Sequence, residues 1–342
     1  MQLQDMIKLI YQNEFAGGHM IVDESDSLER LKDELDVLSS NSCVHLRQPL
    51  FEYIGNDLYR MNLEPLKNFK LNIETANKFF INTANSAKGN ITSFEEKLGI
   101  LEECCRDGLL PFSLDELRCY IDNYKIKGYP PVGHSEIYKK SYLPAYRIVR
   151  KEYRHFFKVF EYIDILMQSD RIVKVAIDGN AGAGKSTLAS LIGGIYDCNI
   201  FHMDHFFLTP ELRTEERLKE VGGNVDYVRF KQEVMEGLQS GREFEYRVYN
   251  CTKMALDKTI SVKPKKLNII EGVYSMHPTL IDSYDLKIFL EIDEEEQSRR
   301  ILERSGAVMH RRFIEEWIPL ENKYFDKMGI KEKGDLVFQG KF

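Results

Sequence analysis

The chain has 342 residues, which at about 150 residues per domain suggests two domains, with length enough for a core that needs no covalent staples. Hydrophobic residues make up 43% and charged residues 30%, an ordinary globular composition. The 47 basic and 54 acidic residues leave a net charge of −7, which disfavours a general nucleic-acid or anionic-membrane binder but not a local basic pocket for one small anion.

Cys43, Cys104, Cys105, Cys119, Cys198 and Cys251 form no C-x-x-C pair, so they read as free thiols in a reducing compartment rather than a disulfide frame or zinc site. The first residues, MQLQDMIKLIYQNEF, lack a basic segment followed by a continuous apolar one, and no apolar run reaches the ~18 residues of a membrane span. A cytosolic protein with no membrane or nucleic-acid partner is expected; a homo-oligomer stays open.

The residues before 168 carry helical patterns. Asn13 to His19 reads as a helix end with a Gly-Gly turn. Leu28, Leu31, Leu35 and Leu38 recur at helical spacing, with Asp26 and Glu29 as a capping-box-like start. Ser93 to Glu96 opens a segment carrying Leu98 and Leu101. Ser113 to Glu116 opens another carrying Leu117, Tyr120, Ile121 and Tyr124, which stops at Gly128 before Pro130 and Pro131. The stretch His134–Ser135 through Tyr138, Tyr142, Tyr146 and Arg147 is dense in hydrogen-bonding groups and reads as a packing seam or a pocket lining. A helix is expected from about Tyr146 to Met167. Tyr11, Phe15, Phe79 and Phe80 read as core.

After residue 168 strands and helices alternate. Residues 172–177, 199–203, 267–270, 286–292 and 335–338 read as strands, and 185–195, 225–238 and 294–304 as helices. Short apolar strands alternating with helices predict an α/β fold, a parallel sheet covered on both faces, preceded by a mostly α-helical domain. The expected domains are 1–168, of unassigned role, and 169–342.

Gly179-Asn180-Ala181-Gly182-Ala183-Gly184-Lys185-Ser186 fits G-x-x-x-x-G-K-[ST], between an expected strand and helix, so the expected fold of this part is an α/β P-loop NTPase. Its glycines allow the tight turn that brings amide N–H groups onto phosphate oxygens. The helix N-terminus adds positive potential, Lys185 a charge for the β- and γ-phosphates, Ser186 a Mg²⁺ ligand and Thr187 a further phosphate contact. Asn322 to Asp326 is one residue too long for the guanine-reading N-K-x-D motif, which argues against a GTPase.

Asp204 follows the second of these strands, where strand carboxyl ends line the ligand crevice, and reads as a general base or metal-proximal carboxylate; a cap is the structural alternative. His202 and His205 flank it as candidate metal ligands or bases, with solvated loop histidines as the commoner alternative. Glu271 ends an apolar strand before Gly272, the pattern of a Walker-B carboxylate on Mg²⁺. Arg299, Arg300 and Arg304 lie on one helix ahead of a Ser305-Gly306 break and Arg311-Arg312, as candidate phosphate-lid residues or a solvated face paired with Glu294, Glu295, Glu296 and Glu303.

Taken in order over about residues 172–338, these elements resemble the uridine kinase/phosphoribulokinase family of P-loop small-molecule kinases. The match runs through the loop, Asp204 with Phe206-Phe207, Asn224-Val-Asp226, Tyr246 to Asn250, Ile269 to Tyr274, the arginine helix and Trp317 to Tyr324. The resemblance implies transfer of the ATP γ-phosphate to a small-molecule hydroxyl, with Lys185, Asp204, Arg300 and Arg304 catalytic, Ser186 and Glu271 at Mg²⁺, and Asp226 and Tyr249 on a nucleoside-like acceptor. Two departures leave the acceptor open. Tyr249-Asn250 runs into Cys251-Thr-Lys-Met254 where the family has His-Ser-Arg, and Ser305 to Val308 lacks its Arg-Gly-Arg. They also motivate an alternative, a nucleotide-binding regulatory protein with a degenerate kinase domain.

Overall fold

The structure is a computed structural model, and the residues it describes are 1–18, 21, 23–40 and 48–340. His19 and Cys43 lie outside them; Cys104, Cys105, Cys119, Cys198 and Cys251 are free thiols. The chain forms two compact units, Met1–Glu161 and Tyr162–Phe342, so the break falls within helix Phe157–Leu166. Among the described residues no helix is long and apolar enough to cross a membrane.

The first unit is mostly helical but holds a small sheet absent from the sequence reading. Strands β1 (Phe51–Gly55), β2 (Leu58–Asn62) and β3 (Tyr146–Arg150) pair antiparallel in the order β1-β2-β3. Asn56 and Asp57, with φ of 53° and 56°, make the tight turn between β1 and β2. The segment expected to be one helix from Tyr146 is instead β3 followed by helices Lys151–His155 and Phe157–Leu166, because Ile148 and Val149 are buried as strand residues against β2.

Two helix starts also move. Asn90, not Ser93, caps helix Ile91–Arg106, its side chain accepting from Ser93 N. Asp23, ahead of helix Glu24–Ser40, accepts from Asp26 N at 2.8 Å and takes the capping place expected of Asp26. Ser113, where a helix was expected to open, forms a capping box with Glu116. Helix Leu3–Phe15 ends at Ala16 in the left-handed region, and its Ile7 and Tyr11 pack with Phe94, Leu98, Leu101, Leu117, Ile121 and Tyr124. Phe79 and Phe80 are buried, as expected of core residues.

The second unit is built on a parallel sheet in the order β10-β9-β4-β8-β5, comprising β4 (Val173–Gly179), β5 (Cys198–His202), β8 (Leu267–Glu271), β9 (Leu286–Glu291) and β10 (Leu336–Gln339). Ala176, Ile177, Ile269, Ile270 and Ile288 are wholly buried, as the inner strands of a doubly covered sheet require. A hairpin the sequence reading lacked, β6 (Phe244–Asn250) with β7 (Ala255–Val262), adds Tyr246 and Val248 to the core. Helix Glu294–Arg312 breaks at Gly306, whose φ and ψ are 74° and 169°.

β4 delivers the phosphate loop through Gly179. At a φ of 137°, a Cβ there would sit 2.0 Å from the Leu290 carbonyl of β9. Only glycine allows the loop to leave the sheet so close to β9. Gly179→Ala is expected to destabilise the unit by about 3 kcal/mol; thermal and urea unfolding of the variant check this, with a chain as stable as the parent contradicting it.

Candidate active site

The crevice lies at the carboxyl ends of β4, β5 and β8. Asn180 N donates to the Leu290 carbonyl at 3.1 Å and Ala183 N to the Asn180 carbonyl at 3.1 Å, so residues 180–184 turn tightly above β9. Gly182 and Gly184 adopt φ of 78° and 93°, and Gly184 leads into helix Lys185–Gly193. Lys185 is buried, and its ammonium donates to the Gly179 carbonyl at 2.8 Å and the Asn180 carbonyl at 2.9 Å, fixing its charge at the loop. Ser186 and Thr187 are exposed on the first helical turn.

The Ser186 hydroxyl lies 3.1 Å from both oxygens of Glu271, the last residue of β8. A hydroxyl and a carboxylate this close are hard oxygen donors suited to a cation that also binds phosphate. Among the described residues no group of three or more His, Cys, Asp or Glu could hold a metal by itself. The Ser186 hydroxyl and Glu271 carboxylate are oxygen ligands of the kind Mg²⁺ takes.

His202, ending β5, meets Glu271 Oε1 through Nδ1 at 2.5 Å, and this hydrogen bond raises the imidazole pKa. His202, a metal-ligand or base candidate from its place beside Asp204, thus has Glu271 as its partner. His205 goes the other way: burial lowers its pKa to about 4, and Nδ1 lies 3.3 Å from the Tyr246 hydroxyl.

Asp204 sits one residue beyond Met203, on the short 3₁₀ turn Met203–Phe206 that follows β5. Solvent reaches it, and among the described residues it makes no hydrogen bond. The surrounding crevice walls nonetheless raise its carboxyl pKa by desolvation, and the Glu271 carboxylate adds to the rise against Lys185, His202 and Arg304. A carboxylate lifted in this way, with free lone pairs, can accept a proton from a hydroxyl.

The two expected lid arginines differ. Arg300 lies against the loop: Nε donates to Glu296 at 2.6 Å, Nη2 to the Gly340 carbonyl at 2.8 Å and Nη1 to the Gly182 carbonyl at 3.3 Å. Arg304 is exposed, 5.7 Å from the Phe313 ring, and its charge acts on Asp204.

The two expected acceptor contacts are internal. Asp226 caps helix Tyr227–Phe230, and its oxygens accept from Arg229 N at 3.0 Å and Arg229 Nε at 3.2 Å. The buried Tyr249 hydroxyl accepts from Arg213 Nη2 at 3.0 Å.

Behind the loop lies a buried acid pair that the sequence reading missed. Asp178 accepts from Gly179 N at 2.8 Å, Met276 N at 2.9 Å, Tyr274 N at 3.2 Å and the Tyr324 hydroxyl at 2.9 Å. Burial lifts its pKa to about 6. Glu321, on helix Ile318–Met328, accepts from Ala181 N at 3.1 Å, and Gln297 Nε2 donates to the Ala181 carbonyl at 2.9 Å. The legible signal was an acid at a sheet-facing position in Val173–Gly179; for Glu321 no local pattern announces burial.

Residues 174–308 match the family described as Phosphoribulokinase / Uridine kinase. Those residues lie within the second unit. The chain is 26% identical over 145 residues to a phosphoribulokinase of Synechocystis, covering 41% of this chain and 44% of that one. It is 22% identical over 175 residues to a uridine kinase of Ureaplasma parvum, covering 47% of this chain and 84% of that one. Its spatial likeness to a possible uridine kinase from Bacillus stearothermophilus has a TM-score of 0.40 at 17% identity, covering 53% of this chain and 99% of the other.

Burial raises the Glu321 pKa from 4.5 to about 7. Between those values the folded chain holds a proton that the unfolded chain has released, so wild-type stability falls as pH rises through this window. Glu321→Gln removes that loss. Its melting temperature is expected to gain on the wild type from pH 4.5 to about 7 and to hold a constant margin above; parallel melts across pH check it.

Proposed function

We propose that this chain is an ATP- and Mg²⁺-dependent phosphotransferase that acts on a hydroxyl of a small acceptor, nucleoside-like in the manner of the uridine kinase resemblance. The observation that carries this reading is the unbonded Asp204 carboxylate, which shares one crevice with Lys185 and the Ser186–Glu271 pair. In this reading residues 179–187 cradle the phosphates through backbone N–H groups. Asp204 accepts the acceptor's hydroxyl proton as its oxygen attacks the γ-phosphorus and ADP leaves. Lys185 and Arg304 offset charge on the transferring group. Ser186 and Glu271 would hold Mg²⁺, which supplies charge neutralisation on the phosphates. Arg300 keeps the loop in shape through Gly182 rather than closing over it.

Asp204→Asn should lower kcat by about 10²–10⁴-fold while ATP affinity stays near wild type. The assay incubates chain and ATP with nucleosides, pantothenate and sugar derivatives and reads a one-phosphate mass gain by mass spectrometry. No phosphorylated product alongside tight ATP binding would sink the kinase reading. The second reading, a nucleotide-binding regulator, draws support from the engagement of Asp226 by Arg229 and of Tyr249 by Arg213, and that same outcome would favour it.

The arginines separate on kinetics. Arg304→Ala is expected to lower kcat by about 10²-fold with little change in the KM for ATP. Arg300→Ala is expected to act mainly by raising that KM. Steady-state kinetics on both variants decide, and the reverse pattern would exchange the roles.

A further inference from the structure

We infer that the helical unit carries a second ligand site, for a small metabolite bearing a hydroxyl next to a phosphate or carboxylate group. A cavity of about 320 Å³ opens within residues 1–161, lined among others by Glu14, Asp57, Thr83, Lys88, Arg150 and Glu152. Its volume is that of a small-ligand site, for which the range is roughly 300–1,000 Å³.

Two of its charges are already answered. Glu14 accepts from Lys97 Nζ at 2.7 Å, Asn90 N at 2.8 Å and the Ser93 hydroxyl at 2.8 Å. Asp57 accepts from Lys151 Nζ at 2.7 Å. Arg150, Lys88 and Glu152 remain, two cations against one anion. Among the described residues none of these three side chains makes a hydrogen bond, and Arg150 Nε and Glu152 Oε2 are shielded from solvent without a partner. The two side chains face each other as a partly exposed ion pair, 34% and 27% accessible, whose shielded atoms each lack a hydrogen bond that a ligand could supply.

The geometry specifies the ligand atom. Arg150 Nε and Glu152 Oε2 stand 3.9 Å apart, too far for a hydrogen bond but close enough for one oxygen to bridge. That oxygen must accept from the guanidinium and donate to the carboxylate, which a hydroxyl does and an ionised phosphate or carboxylate oxygen does not. The rest of the guanidinium fork and the Lys88 ammonium, with their excess positive charge, suit an adjacent anionic group. Arg150 is set in place through its backbone, whose N–H donates to the Thr83 hydroxyl at 3.1 Å, so its side chain can change without removing that tie.

The test is calorimetric titration of the full chain carrying Lys185→Ala, which weakens phosphate binding at the P-loop. The probes are glycerol 3-phosphate, glycerate, inorganic phosphate and glycerol. Binding of glycerol 3-phosphate or glycerate is expected, and which of the two binds tells phosphate from carboxylate. Arg150→Gln should weaken that binding at least about tenfold. Glu152→Gln should weaken the hydroxylated anions relative to inorganic phosphate. Arg150→Lys, which keeps the charge but loses the fork, serves if the glutamine variant does not fold, and it too should bind more weakly. Absence of binding, which would leave only water between Arg150 and Glu152, or binding indifferent to Arg150, overturns the site.

Discussion

Backbone and side-chain donors from distant parts of the chain converge on the carboxylate of Asp178. It accepts from Gly179 at the mouth of the phosphate loop, from Tyr274 and Met276 beyond β8, and from the hydroxyl of Tyr324 on a late helix. Buried completely, it would be costly to ionise without those donors. Its position ties the loop to the turn after Glu271 and to the helix that carries Glu321. The loop is gripped from its other side by Gln297 and Arg300. Phosphate binding by backbone N–H groups needs a loop that does not relax, and this network supplies the rigidity.

The crevice is a contest of charges in a small volume. Glu271 and Asp204 repel each other, while Lys185, His202 and Arg304 oppose that repulsion. The His202–Glu271 bond gives one carboxylate a partner and leaves Asp204 without one, so the two acids are made unequal by their neighbours. The chain as a whole is acidic at a net −7, yet the charges of Lys185 and Arg304 both act on Asp204. Total charge and local potential are separate quantities.

Two residues expected to contact an acceptor are engaged within the chain. Asp226 and Tyr249 stand at the matching positions, but each is held by an arginine of this chain, Arg229 and Arg213. In the helical unit, His134 contacts the Tyr146 hydroxyl at 2.6 Å, and Ser135 donates to Asp5, so this patch forms an internal network of that unit.

Much of the α/β unit was legible because its signals are local. A strand, a glycine loop and a helix announce themselves within a few residues, and β4, β5, β8, β9 and β10 fall where short apolar runs stand. The antiparallel sheet of the first unit was missed because β3 looks helical until its pairing with β2, far away in sequence, buries Ile148 and Val149. The amino-acid order by itself determined the phosphate loop, the parallel sheet and the candidate acids Asp204 and Glu271, since each depends on backbone geometry or strand position encoded nearby. Only the tertiary structure decided that Asp178 and Glu321 are buried beside the loop, that His202 partners Glu271 and that Arg300 and Arg304 part company. Burial and pairing are set by neighbours that folding brings from elsewhere in the chain, and no local pattern records them.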